Sequence, residues 1–476
     1  MYVGISVMKV TITFLGAAGT VTGSKYLVEV EGPSSTRILV DAGIFQGSRE
    51  WRERNWEDPP SELLRSIDAV VLTHAHIDHT GILPRYVRQG LRCPVFCTPP
   101  TRDLTELLLL DSAMLQEEEA RFRAKEGLSR HNPPLPLYTR KDAAEAIKLL
   151  RPTPFGKRTE VTGGVHATWS HMGHILGAAS IELEVGGKTI TFSGDVGRYH
   201  VPILKDPEPV KLGDLLLIES TYGDRDHSEE GSAEHLGRIV NESVKRGGVL
   251  LIPSFAVGRT QTLLYYLREL KERNAIPDIP IIIDSPMSRN ATALYAKYPS
   301  DYDEEALQLT RAGGKPFEPS KLYFIQDREE SIKLNSVHEP MVIISASGML
   351  SGGRILHHLK HRISSPQNTL LFAGFQPPGG RGAWIKSGAP TLRLLGKEVP
   401  IRAYIDEMND LSAHGGKSEL LRWCSESRAL GEGTGNPSRV AVVHGEPETA
   451  AKFAATLKEK FSWDSFVAGY KQTIEV

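Results

Sequence analysis

The sequence has only three cysteines in 476 residues, Cys93, Cys97 and Cys424. That is too few for a disulfide framework and points to a reducing compartment. Cys93 and Cys97 flank Pro94-Val95-Phe96 and read as core thiols, not as a zinc pair. No apolar run approaches the roughly 18 residues of a membrane span. The N-terminus lacks a basic segment followed by an apolar one, so no secretory leader is expected, and Met8 offers an alternative start. A cytoplasmic protein with no membrane partner is the expectation. There is also no excess of charge: 56 Lys and Arg against 58 Asp and Glu give a formal net charge of −2. Any nucleic-acid partner must therefore be held by a local basic groove and not by a generally basic surface. No internal repeat is present. The composition, 40% hydrophobic and 24% charged, is that of a soluble globular chain, too long for one ordinary core, so two or three domains are expected.

The chain is organised around the stretch from Thr73 to Gly81, which holds His74, His76, Asp78 and His79 within six residues. It follows Ser66–Leu72, an apolar, β-branched run that reads as a buried strand. The cluster thus leaves the C-terminal end of a strand, where open α/β sheets carry their sites. Imidazole and carboxylate at this density suit a first-row metal such as zinc. Four ligands bunched so tightly suit two ions better than one.

Further carboxylates and histidines stand at other strand ends. Strands are expected at Lys9–Leu15, Tyr26–Val30 and Arg37–Asp41, the last two joined by a Gly-Pro-Ser-Ser turn. The arginine-rich Arg49–Trp56 reads as a surface loop, Gly81–Gln89 as a helix, and Asp103–Lys125 as a long helix with Leu104, Leu107, Leu108, Asp111 and Leu115 on one side. Two strands around a Gly186-Gly187 turn lead into Gly194-Asp195. The stretch His200–Leu212, with Pro202, Pro207 and Pro209, reads as a linker. Beyond it strands and helices alternate, which means a parallel sheet with loops at one edge. Leu215–Ile218 reads as its first strand, ending in Glu219. From Val399 the texture changes back: Ile401–Ile405 reads as a strand, His414 precedes a helix, and the buried strand Arg439–Val443 ends in His444. The expected organisation is a first domain over residues 1–208 and 401–476, interrupted by a second over 209–400.

Sorted by chemistry, His74, His76 and His174 would hold one ion, and Asp78, His79 and His444 the other. Asp195 would bridge, because each carboxylate oxygen can take one cation. Asp41 fits a role in orienting a ligand histidine through its other ring nitrogen. His171 competes with His174, and spacing alone leaves the choice open. His131, His166, His200, His227, His235 and His338 read as ordinary surface or loop histidines.

These motifs resemble, in order and over the chain from about Lys9 onward, those of the β-CASP branch of the metallo-β-lactamase superfamily. The matching elements are Asp41, His74-x-His76-x-Asp78-His79, Gly173-His174, Gly194-Asp195, Glu219 in Glu-Ser-Thr-Tyr-Gly, His414 in Ser-Ala-His, and His444 in Val-His-Gly-Glu. The resemblance implies an α/β chain with the four-layered αββα metallo-β-lactamase fold and an inserted α/β β-CASP domain, and it selects His174 over His171. It implies processing of nucleic acid, and the histidine at the last motif implies RNA; the overall form resembles minimal bacterial or archaeal ribonucleases related to the endonuclease that cuts pre-mRNA 3′ ends. Three features depart from relatives. Pro377-Pro378-Gly379-Gly380-Arg381-Gly382 replaces a Gly-Thr-x-Gly signature, Met114 stands where a histidine is expected, and loop 430–438 stretches the His414–His444 spacing.

The reaction then expected is hydrolysis of RNA phosphodiester bonds, endonucleolytic or 5′–3′ exonucleolytic, in RNA processing or decay. A hydroxide generated by two zinc ions about 3.5–4 Å apart would attack phosphorus, with manganese as the alternative metal. Asp78 and Asp195 act there as ligands, His414 protonates the leaving group, and Glu219 orients His414. Loops at Ser345-Ala346-Ser347-Gly348 and Ser254–Arg259 each follow a strand and read as opening a helix, where backbone N–H groups suit phosphate; Ser345, Ser347, Gly348 and Arg259 are the candidate substrate contacts. RNA would reach the site between the two domains. The helix at Gly353–Ile363 reads as carrying a basic face of Arg354, His358, Lys360, His361 and Arg362, which a phosphate backbone could follow, though a solvated face is the plainer reading. The alternatives are a DNA-directed or other hydrolase of the superfamily, or a scaffold that binds RNA without cutting it. Nothing in the sequence excludes a homo-oligomer.

Overall fold

The structure is a computed structural model that describes residues 9–32, 35–125, 135–227, 231–374, 376–377, 379–431 and 437–476. Met1 and Met8, part of the Gly32–Ser35 turn, His131, Pro378 and most of loop 430–438 lie outside the described residues. Internal contacts divide the chain into two units. The first comprises 1–200, 206–226 and 414–476, and the second 201–205 and 227–413.

The first unit is built on two seven-stranded sheets. In one, Thr473–Glu475, Lys9–Phe14, Tyr26–Glu31, Thr36–Val40, Ala69–Val71, Val95–Cys97 and Leu150–Pro152 lie side by side. In the other the order is Ser465–Val467, Arg439–Val443, Leu215–Glu219, Lys188–Phe192, Ala179–Val185, Val165–His171 and Thr159–Thr162. The two-residue period of each strand decides its neighbours. Ile38 and Val40, Ala69 and Val71, Leu215 and Leu217, and Ala441 and Val443 point inward to a common core with Ile12, Phe14, Trp169 and Phe192. The residues between them point outward: Leu39 and Val70 pack with Leu83, Leu109 and Ala143 of three helices, and Leu216, Ile218, Val440 and Val442 pack with Leu420, Trp423 and Phe453 of two others. Helix, sheet, sheet, helix is therefore the layer order, set by strands apolar on both faces. Each fully buried aliphatic side chain contributes about 1.5–3 kcal/mol. Trp169 ties the sheets together by donating its indole N–H to Leu72 O at 3.0 Å.

The second unit has a six-stranded, all-parallel sheet in the order Leu322–Phe324, Ile281–Ile283, Met341–Ser345, Val249–Pro253, Thr369–Phe372 and Tyr404–Glu407. Its central strands, Val249–Pro253 and Met341–Ser345, are buried along their whole length, as helices on both faces require.

Several elements differ from the sequence reading. Leu215–Glu219 lies in the first unit, hydrogen-bonded between Lys188–Phe192 and Arg439–Val443; a buried apolar strand carries no mark of which parallel sheet it joins. Conversely, the strand expected at Ile401–Ile405 is Tyr404–Glu407 and closes the second unit's sheet against Thr369–Phe372. Of the linker His200–Leu212, Val201–Lys205 goes with the second unit and the remainder with the first. Arg49–Arg54 is a helix, because Ser48 caps it and Arg49–Glu53 and Glu50–Arg54 pair along it. The helix expected at Gly81–Gln89 starts at Leu83 and ends at Gln89, and a separate short helix, Ile77–Thr80, precedes it. On the long helix Pro99–Lys125 the buried side is Leu104, Thr105, Leu109 and Ala113, while Leu115 is exposed. The basic face expected on Gly353–Ile363 is largely turned inward: Arg354 and His358 bind Asp284, and Arg362 donates to Leu334 O and Val337 O.

Candidate metal centre

Five strands of the first unit end in, or run into, candidate site residues. Asp41 follows Thr36–Val40, His74 follows Ala69–Val71, Asp195 follows Lys188–Phe192, Glu219 ends its strand, and His444 follows Arg439–Val443. Asp41 and His444 have φ of 57° and 48°. Left-handed backbone at two non-glycine residues costs energy and clusters at functional sites; here it turns each side chain sharply at the strand end. Gly194, with φ of 58°, is required before Asp195: a Cβ there would meet Ala179 O at 2.9 Å and the Thr73 Cβ at 3.0 Å. His76 immediately precedes the short helix Ile77–Thr80, which carries Asp78 and His79.

The structure brings His74, His76, His174 and Asp195 into one group and Asp78, His79 and His444 into another. In the first, His76 Nδ1 lies 3.1 Å from both His74 Nε2 and His174 Nε2, and each of those Nε2 atoms is 3.4 Å from Asp195 Oδ2. Zinc with bonds of about 2.0–2.1 Å to tetrahedral ligands spaces them by roughly 3.3–3.4 Å, so this donor set fits such an ion. In the second group His79 Nε2 is 3.3 Å from Asp195 Oδ1, and His444 Nε2 is 3.5 Å from Asp78 Oδ2. The two oxygens of Asp195 thus face different groups. Asp195 Oδ1 and His444 Nε2 are buried and make no hydrogen bond among the described residues, a costly state that a cation relieves. His171 is held elsewhere, stacked on Phe155 at 3.5 Å.

Hydrogen bonds fix the tautomers. Asp41 accepts from Thr73 N and Thr73 Oγ1 at 2.8 Å and from His79 Nδ1 at 2.7 Å, leaving the lone pair of His79 on Nε2. With its proton given to Asp41, Thr73 Oγ1 accepts from His74 Nδ1 at 3.1 Å, which frees His74 Nε2. Thr221 Oγ1 donates to His444 O at 3.2 Å and accepts from His444 Nδ1 at 3.1 Å, which frees His444 Nε2. Thr73 and Thr221 were not singled out in the sequence; each adjoins a motif residue or lies two positions from one, and only the fold brings their hydroxyls to the imidazoles.

The electrostatics divide the histidines: burial opposes charge on His79, but Asp195 and Asp41 raise its pKa well above the usual imidazole value. Burial lowers the pKa values of His74 and His76, keeping them neutral as ligands must be. Burial works against the Asp78 carboxylate, yet the neighbouring His444, His79 and His76 imidazoles bring it down to about 2. Asp195, equally buried, is held well below the usual carboxylate range by His444, His79 and His74. His414 differs. Burial disfavours its charge, but Glu219 and then Asp195 raise its pKa to about 9. Its Nδ1 lies 3.1 and 3.2 Å from the two Glu219 oxygens, and its Nε2 is 3.9 Å from Asp195 Oδ2. Position alone would admit His414 as a ligand beside Asp195 and His444, but its Nδ1 is taken up by Glu219. Glu219 is itself fixed, accepting from Val196 N at 2.7 Å and Thr221 N at 3.2 Å.

The other candidates lie in the second unit. Ser345 is buried and donates to Asp284 O at 2.9 Å. Ser347 Oγ accepts from Ser351 N at 3.1 Å, in a loop that runs to Arg354 before the helix Ile355–Arg362 begins. Gly348 lies against Phe255, and Arg259 against Gly374.

Sequence comparison matches residues 36–242 to the Beta-lactamase superfamily domain, 260–385 to the Beta-Casp domain and 398–468 to the Zn-dependent metallo-hydrolase RNA specificity domain. The chain is 39% identical over 437 residues to Ribonuclease TTHA0252 of Thermus thermophilus, covering 91% of this chain and 92% of that protein. It is 31% identical over 471 residues to Transcription termination factor FttA of Methanocaldococcus jannaschii, covering 96% of this chain and 70% of that one. A crystal structure of a protein of unknown function from Enterococcus faecalis shares the fold with a TM-score of 0.54 at 13% identity, over 98% of this chain and all of that one.

Proposed function

Since the chain belongs to the β-CASP branch of the metallo-β-lactamase superfamily and is a metal-dependent ribonuclease of that family, we propose that it hydrolyses RNA phosphodiester bonds at a centre of two zinc ions shared by Asp195. The observation that carries this reading is the placement of the two Asp195 oxygens, one 3.4 Å from His74 and His174 and the other 3.3 Å from His79. His74, His76 and His174 would hold one ion, and Asp78, His79 and His444 the second. Zinc bound there lowers the pKa of water towards neutrality and offsets charge on phosphate oxygens.

The chain's own residues do the remainder. Asp41 and Thr73 lock His79 and His74 in the tautomers that present Nε2. Glu219 holds a proton on the His414 ring, and His414 Nε2 gives a proton to the departing 3′ oxygen. Products are a 5′-phosphate and a 3′-hydroxyl. Cleavage takes place in the cytoplasm, in keeping with three buried free thiols. No helix among the described residues is long and apolar enough to cross a membrane.

The test is incubation of zinc-loaded protein with RNA labelled at the 5′ or 3′ end and with matched DNA, alongside His76→Ala. Internal fragments mark endonuclease action, and mononucleotides released from the 5′ end mark exonuclease action. Cleavage undiminished in His76→Ala rejects the centre, and equal cutting of DNA rejects the preference for RNA.

A further inference from the structure

The second unit exposes four large aromatic rings among its described residues: Phe255, Tyr323, Trp384 and Tyr404. Three are accounted for by their surroundings. Tyr323 sits on the edge strand Leu322–Phe324, Trp384 donates its indole N–H to Thr391 O at 2.9 Å, and Tyr404 lies under the Arg246 guanidinium at 4.7 Å. Phe255 stands instead in the loop after the buried strand Val249–Pro253, at the C-terminal edge of the parallel sheet, and is 44% exposed.

Its exposure does not come from a loose loop. Phe255 O accepts from Thr260 Oγ1 at 2.7 Å, Ser254 Oγ at 3.1 Å and Thr260 N at 3.3 Å. The ring is braced against Gly348 in the loop after Met341–Ser345, where a Cβ would come within 3.1 Å of Phe255 Cδ2 and 3.2 Å of Cε2. Gly348 is fixed in turn, its carbonyl accepting from Gln376 Nε2 at 3.0 Å. The fold therefore immobilises an aromatic ring and leaves much of it to solvent, at the sheet edge where open α/β proteins bind ligands. A pre-ordered ring loses little freedom on binding. The ring stands singly, with no other exposed aromatic among the described residues of its loop, which suits one face of a base in a solvated strand better than a protein partner.

We propose that Phe255 is a stacking platform for one unpaired base of the RNA, a positioning residue and not a catalytic one. The proposal rests on the ribonuclease reading. Every base has a π face, so the contact tolerates any sequence but requires a nucleotide free of a pairing partner.

The test measures KM and kcat of the zinc-loaded chain on an unstructured RNA for wild type, Phe255→Ala, Phe255→Leu and Phe255→Trp. A second series places one abasic nucleotide at successive positions. Loss of one stacked base predicts KM raised about tenfold in the Ala and Leu variants, with kcat within about twofold and Trp restoring wild-type behaviour. At one position the abasic RNA should erase the difference between wild type and Phe255→Ala. Wild-type KM in the Leu variant would make the ring a packing residue and overturn the proposal. So would an unchanged KM in every variant, or a difference that no abasic position erases. Failure of the wild type itself to cut RNA would reject the ribonuclease reading along with it.

Discussion

Asp195 and Asp284 each follow the C-terminal end of a buried strand, and each is almost wholly buried, yet they are satisfied in opposite ways. In the second unit Asp284 is saturated by the chain itself: Oδ1 accepts from Arg354, Oδ2 accepts from Ser331 and lies 2.7 Å from His358 Nε2, and its backbone oxygen accepts from Ser345. In the first unit Asp195 Oδ1 makes no hydrogen bond among the described residues, Oδ1 lies 3.3 Å from His79 Nε2, and Oδ2 lies 3.4 Å from the Nε2 atoms of His74 and His174. A buried carboxylate without donors is retained where an external cation completes it; one with a full set of donors is scaffold. Strand-end position is common to both, and the partners decide which becomes a site.

The sharpest way to break this contrast is at Asp195. Asp195→Ala should abolish cleavage, a loss beyond the roughly 10²–10⁴-fold that one proton-transfer group contributes, and should lower zinc content; full zinc content would contradict the shared position. Next comes His414→Ala. RNA cleavage should fall about 10²–10⁴-fold with both zinc ions retained, and loss of an ion would move His414 into the ligand set.

Asp284→Ala tests the other side. Breaking a buried, hydrogen-bonded ion cluster should cost about 3–5 kcal/mol of stability in denaturant titration, while zinc content stays at the wild-type value. The same residue has a pH signature. Burial raises the Asp284 pKa, but hydrogen bonds from His358, Ser331 and Arg354 outweigh it, and the net value is lowered. A carboxyl whose folded pKa lies below its unfolded value, near about 3.9, stabilises above that value and loses the contribution as pH falls through the folded pKa. Wild-type stability should therefore fall more steeply below about pH 4 than that of Asp284→Asn; parallel curves would remove Asp284 from the account. The smallest effect is expected at Asp41→Asn, which keeps shape but weakens the grip on His79 and should cost about 10–100-fold in zinc affinity, read by competition with a chelator.

Much of the first unit's site was legible in the sequence because its side chains stand at strand ends, and buried strands announce themselves by apolar, β-branched runs. His74 to His79 follow such a run directly, and His444 follows another. The family resemblance supplied what spacing could not, the preference for His174 over His171. Thr73 and Thr221 were not legible, since a threonine beside a histidine is commonplace until the fold turns its hydroxyl onto a ring nitrogen. Nor was the allocation of Leu215–Glu219, because a parallel strand buried on both faces looks alike in either sheet, nor that of Tyr404–Glu407, a half-buried edge strand with no mark of the sheet it joins. The basic helix face failed for a related reason. Helical periodicity shows which residues share a side, but not that Arg354 and His358 have a carboxylate waiting inside.

Zinc stoichiometry tests the central claim most directly. Metal analysis of the purified chain, of His76→Ala and of His444→Ala should find two ions per chain in the wild type and a loss in each variant, one from each side of Asp195. One ion in the wild type, with His444→Ala unchanged, would contradict a centre shared between two metal positions.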